Sequence, residues 1–192
     1  MAIEIERKFL VIGDSWRSLA EGQVYRQGYI PTQDKTTVRI RVVGSQGYLT
    51  IKGQSTGMTR AEYEYPIPVT DAETILQTLC QPPLIEKIRY CIPIENVIWE
   101  VDEFTGENQG LVLAEVELEE EQQTVNLPDW IGVEVTQDAR YYNVNLAQCP
   151  YKQWVWAIAF PNLASTSYHK QQTVLFSLTY ERDRSYRFTR KS

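Results

Sequence analysis

Acidic and basic side chains stand two residues apart along this chain, a spacing that suits the capture of a metal-bound anion. Glu4, Glu6 and Lys8 open the series; Arg39 with Arg41, Lys52, Arg60 with Glu62 and Glu64, Lys87 with Arg89, Glu100 with Asp102, and Glu115 with Glu117 continue it. Clustered carboxylates suit a hard divalent cation, and Mg²⁺ in particular takes one or two carboxylates alongside waters and substrate phosphates. Arginine forks pair bidentately with phosphate oxygens, and lysine adds a point charge. Ions carried into a low-dielectric interior cost several kcal/mol each unless compensated. A metal-bound polyphosphate would compensate both signs at once.

Other chemistries fit poorly. His169 is the only histidine and lies in a C-terminal stretch without strand pattern, which argues against a Ser/His/Asp triad or a Cys/His pair. Neither a P-loop nor a dinucleotide fingerprint is present. Zinc sites favour Cys and His, and Cys80, Cys91 and Cys149 lack ligand spacing, so they read as reduced thiols of a cytoplasmic protein. The net charge of −6 argues against a broad nucleic-acid surface while leaving room for a local basic pocket. With no apolar run of membrane-spanning length and a charged strand where a signal peptide would stand, the expectation is a soluble, cytoplasmic protein without membrane or nucleic-acid partners. Its oligomeric state is left open.

The elements that must position these charges are strands. Residues i, i+2 and i+4 of a strand share one side of the sheet, so Ile3–Leu10 separates Glu4, Glu6 and Lys8 from Ile3, Ile5 and Phe9. The same alternation runs through 38–42, 49–52, 60–64, 87–89, 99–102 and 115–118. Any one segment reads equally well as an amphipathic antiparallel strand with a wetted face. The set reads differently, because Arg39/Arg41, Lys87/Arg89, Glu100/Asp102 and Glu115/Glu117 are pairs of one sign, whereas ordinary surfaces intersperse both. A charged cavity needs a basic wall and an acidic wall, so the pattern predicts an α+β fold built on a barrel whose interior is the charged side.

Turn signals at 44–47 and 105–110 favour antiparallel neighbours. Helices are expected near 14–20, over 70–80 and around 141–148, all outside the barrel and covering its apolar face. The second carries a Thr70/Glu73 capping-box pattern and an apolar stripe of Ala72, Ile75, Leu76 and Leu79. Glu119–Glu121 reads as a solvated turn and is left out of the site. Residues 1–154 form the expected domain, and 155–192, ending in Arg182, Arg184, Arg187, Arg190 and Lys191, a disordered or weakly docked extension.

The run Glu4-Ile5-Glu6-Arg7-Lys8, followed in order by the paired charges above and by Asp138-x-Arg140, resembles the CYTH domains, the triphosphate tunnel metalloenzymes. The resemblance spans residues 1 to 154. It implies a closed eight-stranded antiparallel tunnel that binds triphosphates with Mg²⁺ or Mn²⁺. Lys8, Arg39, Arg41, Lys52, Arg60, Lys87, Arg89 and Arg140 become the triphosphate-binding set. Glu4, Glu6, Glu62, Glu64, Asp102, Glu115 and Glu117 become the metal- and water-binding set, with Glu100 as a further member or a structural ion pair. Ala139 stands where some relatives carry Lys. The implied activity is metal-dependent hydrolysis of the terminal phosphoryl group, with Glu4 or Glu6 activating water and Lys87 or Arg89 stabilising the transferring group. Inorganic tripolyphosphate is the first-choice substrate. Nucleoside or thiamine triphosphate hydrolysis, adenylate cyclisation and non-catalytic polyphosphate or nucleotide sensing are the alternatives, and Tyr25, Tyr29 and Tyr48 are expected to serve barrel packing.

Overall fold

A computed structural model describes residues 3–33, 36–54 and 59–154, with the side chains of 3, 4, 59 and 60 excepted. The extension expected over 155–192 lies outside the described residues. The strands are β1 (Ile3–Val11), β2 (Gly22–Ile30), β3 (Thr37–Val43), β4 (Gln46–Lys52), β5 (Thr59–Ile67), β6 (Ile85–Ile94), β7 (Val97–Phe104), β8 (Val112–Glu117) and β9 (Ile131–Glu134). Two α-helices, α1 (Val69–Thr78) and α2 (Asn143–Gln148), and three 3-10 turns at Ser15–Ser18, Gly106–Asn108 and Ala139–Tyr141 accompany them, and residues 151–154 are helical as well.

All strand pairings are antiparallel, in one nine-stranded sheet ordered β5-β4-β3-β2-β6-β7-β8-β1-β9. The expected closed eight-stranded barrel is therefore corrected. A ninth strand, β9, follows β1, and the additional β1–β5 pairing covers only Ile3↔Ala61, Glu4↔Arg60 and Ile5↔Thr59. Hydrogen bonds do not seal that junction along the length of the strands: β5 beyond Ala61 pairs with β4, and β1 beyond Ile5 pairs with β8 and β9. β9 is fixed to β1 by the Arg7 guanidinium, which donates to both Glu134 oxygens at 3.0 and 2.7 Å.

The apolar side of the strands forms the core. Phe9, Trp99, Val101, Ala114 and Val116 are buried with Trp16 of the first 3-10 turn and Trp130 of the segment before β9. Phe104, Leu111 and Leu113 meet Leu146 and Ala147 of α2, while Ile40 and Val42 meet Ala72 and Leu76 of α1. Leu79, placed by the sequence on the buried stripe of α1, follows that helix as its C-cap and is exposed. The capping-box pattern is not used either: α1 starts after Pro68 without a side-chain cap, and Glu73 pairs with Arg26. Gly47 of β4 permits the close seating of α1, since a Cβ there would stand 2.7 Å from the Ala72 Cβ. Gly44, at φ +56°, turns β3 into β4, a left-handed conformation that glycine adopts without steric cost.

Candidate active site

Antiparallel register converts the period-two charges into two ion clusters. In the first, Lys8 of β1 lies opposite Glu115 of β8, Glu115 opposite Glu100 of β7, and Asp102 opposite Arg89 of β6. The Lys8 ammonium meets Glu115 at 2.6 Å and Glu6 at 3.8 Å. Arg89 donates through Nε and Nη2 to the two Asp102 oxygens, each at 2.6 Å, and through Nη2 to Glu115 at 2.9 Å. It also pairs with Glu100, and Lys87 pairs with Asp102. Lys8, Lys87, Arg89, Asp102 and Glu115 are all buried.

The second cluster joins β3, β4 and β5. Glu64 accepts from Arg39 at 3.1 Å, from Arg41 at 2.8 and 2.9 Å, and from the Thr50 hydroxyl at 2.7 Å. Lys52 meets Glu62 at 2.9 Å, and Arg39 lies 3.5 Å from the same carboxylate. Here Arg39, Lys52 and Thr50 are buried.

Strand β2 runs between the basic strands β3 and β6, opposing Gln27 to Arg41 and Tyr25 to Lys87. The Tyr25 ring centre lies 5.3 Å from the Arg89 guanidinium, 5.6 Å from that of Arg41 and 6.0 Å from the Lys87 ammonium. These are cation–π distances, so Tyr25 links the clusters rather than serving only as packing. Tyr48 covers Arg41 at 5.5 Å, and Tyr29 accepts from Gln27 at 2.9 Å. Gln27 and Thr50 join Tyr25 among residues the charge pattern missed. Parity with Arg39, Arg41 and Lys52 was their only signal, and an uncharged residue does not stand out by parity alone.

The clusters bias protonation. Burial, reinforced by neighbouring Arg89, lowers the Lys87 ammonium to about 8 despite its contact with Asp102. Burial also opposes the charge on Lys8, but Glu115 and Glu6 outweigh it and raise the ammonium above its ordinary value. Glu115 shows the converse: desolvation favours the acid form, yet Lys8, Arg89 and Lys87 hold it well below the usual carboxylate range. Burial raises Glu100, with Glu115 and Asp102 adding to the rise.

The remaining expected site residues divide by location. Glu4 opposes Arg60 in the β1–β5 register, although their side chains lie outside the described residues. Glu6 opposes Glu117 across β1 and β8. Arg140 stands apart from both clusters. It sits in a 3-10 turn, two-thirds exposed, with its backbone N–H and guanidinium turned back to Asp138.

A divalent cation fits the donor set by chemistry. Glu6, Glu115 and Glu117 bring hard oxygens to adjacent strands. Among the described residues no group of three such side chains converges as ligands; Glu115 is turned to Lys8 and Arg89.

An antiparallel sheet carrying buried, paired acids and bases on one face defines a polyanion-binding class of protein, and comparison with known proteins specifies it. The CYTH domain matches residues 2–148, and the chain belongs to that family. It is 56% identical over 154 residues to an inorganic triphosphatase of Acetivibrio thermocellus, covering 80% of this chain and 99% of that protein. An inorganic triphosphatase of Nitrosomonas europaea is 38% identical over 152 residues, covering 75% and 96%. A crystal structure of an inorganic triphosphatase aligns with a TM-score of 0.55 at 36% identity, covering 74% of this chain and 96% of the other.

Proposed function

We propose that this protein hydrolyses the terminal phosphoryl group of inorganic triphosphate with the aid of Mg²⁺ or Mn²⁺. The observation that carries the reading is the pair of basic groups, buried Lys8/Lys87/Arg89 and buried Arg39/Lys52 with half-buried Arg41, held on one face and paired with carboxylates. Both curated relatives named above are inorganic triphosphatases. A triphosphate brings the same charge as those carboxylates, so it can take their place on the guanidinium and ammonium groups without leaving a buried cation unpaired.

The basic residues act by binding and orienting. Arg39, Arg41, Lys52 and Arg60 hold one end of the phosphate chain; Lys8, Lys87 and Arg89 hold the other, where charge develops during phosphoryl transfer. Glu62, Glu64 and Asp102, already seated on these cations, keep them aimed inward when substrate leaves. Glu4, Glu6, Glu115 and Glu117 are the residues that would hold the cation, and Glu4 or Glu6 accepts the proton of the attacking water. When bound, the cation supplies charge neutralisation on the phosphoryl oxygens.

The test is phosphate release from tripolyphosphate, ATP and thiamine triphosphate, each with Mg²⁺, Mn²⁺ and a chelator. The expected pattern is cation-dependent release, fastest from tripolyphosphate. Release unaffected by chelation, or cyclic AMP formed from ATP in place of phosphate, would overturn the assignment.

A further inference from the structure

Among the described residues, two buried polar atoms on the charged face, of Gln27 and Arg41, lack partners, and they are complementary. Gln27 is fully buried; its amide nitrogen donates to the Tyr29 hydroxyl at 2.9 Å, while Oε1, an acceptor, meets nothing. Arg41 leaves Nε, a donor, equally unmatched. The two residues are direct cross-strand partners on β2 and β3. Opposed side chains in such a pair have Cβ atoms about 4.5–5.5 Å apart, within reach of each other. An unmatched buried polar atom is costly and rare enough to demand a cause.

The position of the Arg41 guanidinium supplies one. Its Nη2 is drawn to both oxygens of Glu64, and its centre lies 5.6 Å from the Tyr25 ring centroid and 5.5 Å from that of Tyr48. Burial and neighbouring Arg39 leave its charge undercompensated, lowering its proton affinity despite Glu64. This guanidinium is bound through Nη2 and unsatisfied at Nε beside it.

We propose that Gln27 is a positioning residue for Arg41: when triphosphate enters, Arg41 moves off Glu64, docks its Nε–H on the Gln27 carbonyl oxygen, and presents its terminal nitrogens to phosphate. Tyr29 holds the Gln27 amide in the orientation that keeps this acceptor available, and the rings of Tyr25 and Tyr48 confine the movement to a rotation of the guanidinium in its slot. The proposal rests on the triphosphate reading above and adds to it a docking site for one of its cations. Gln27 touches no phosphate and acts only through Arg41.

A double-mutant cycle on tripolyphosphate affinity tests this, measured by titration calorimetry in chelator so that turnover plays no part. Gln27→Met retains side-chain length and removes the acceptor; it should weaken binding about tenfold or more, as expected for a lost hydrogen bond to a charged group. Arg41→Lys retains the charge and removes Nε–H, so adding Gln27→Met to it should change affinity less than about twofold. In turnover the single Gln27→Met variant should raise KM and leave kcat nearly unchanged. Equal losses from Gln27→Met in both backgrounds, or no loss in either, would overturn the proposal. Binding without phosphate release by the parent chain would fail the hydrolytic reading and leave the cycle decisive; no binding by the parent would overturn both.

Discussion

Lys87, proposed above as a phosphate-binding cation, would tie the site's affinity to pH. Burial and the adjacent Arg89 lower its ammonium to about 8, so the cation proposed to face phosphate is present below that pH and is lost as pH rises through it. For the free enzyme, kcat/KM should therefore fall above about pH 8, because that ratio reports ionisations of the unliganded protein. Arg remains protonated throughout this range. The Lys87→Arg variant should lose the fall contributed by Lys87 while keeping any part that belongs to the substrate's own titration. Superimposable pH–kcat/KM profiles for the two proteins would remove Lys87 from the binding set. Asp102 illustrates the structural side of the same contact: fully buried between Lys87 and Arg89, it holds two cations that would otherwise repel.

Among the elements, β4 and α1 show how the charged face is braced from behind. Thr50 and Lys52 point their polar groups into the second cluster, while Gly47 of the same strand admits α1 to within 2.7 Å of any added Cβ. Gly47→Ala should displace α1 and destabilise the protein by about 1–3 kcal/mol, the usual range for overpacking. Thermal unfolding measures it, and an unchanged midpoint would show that the helix yields freely. Much of this level was legible in the sequence: same-sign pairs marked β3, β6, β7 and β8, and their alternation separated charged from apolar faces. β2 was not legible as part of the site, because Tyr25 and Gln27 carry no charge and gain their roles only from the strands beside them. Asp138-x-Arg140 is a different case. Its spacing matches a strand face, yet a short Asp side chain also accepts from the backbone two residues on, and that local turn captured the arginine.

At the scale of the whole molecule, strand pairing decides what the charge pattern leaves undetermined. The number of strands and the continuity of the wall depend on contacts such as Arg7 with Glu134, 127 residues apart in the chain, which no local periodicity encodes. The result is a nine-stranded sheet with a three-pair β1–β5 junction in place of a sealed eight-stranded ring. Its charged face nonetheless brings acids and bases from seven strands, β1 and β3 to β8, into two groups joined through Tyr25. The central claim is that this face hydrolyses triphosphate, with the β1 acids acting on water and the bases holding the anion. The most direct measurement is phosphate release from tripolyphosphate by Glu6→Gln, with tripolyphosphate affinity determined in chelator on the same protein. Loss of a general base lowers turnover by roughly 10²–10⁴-fold, so release should fall by at least about a hundredfold while affinity and unfolding temperature hold. Cation-dependent release within a few fold of the parent would contradict the account.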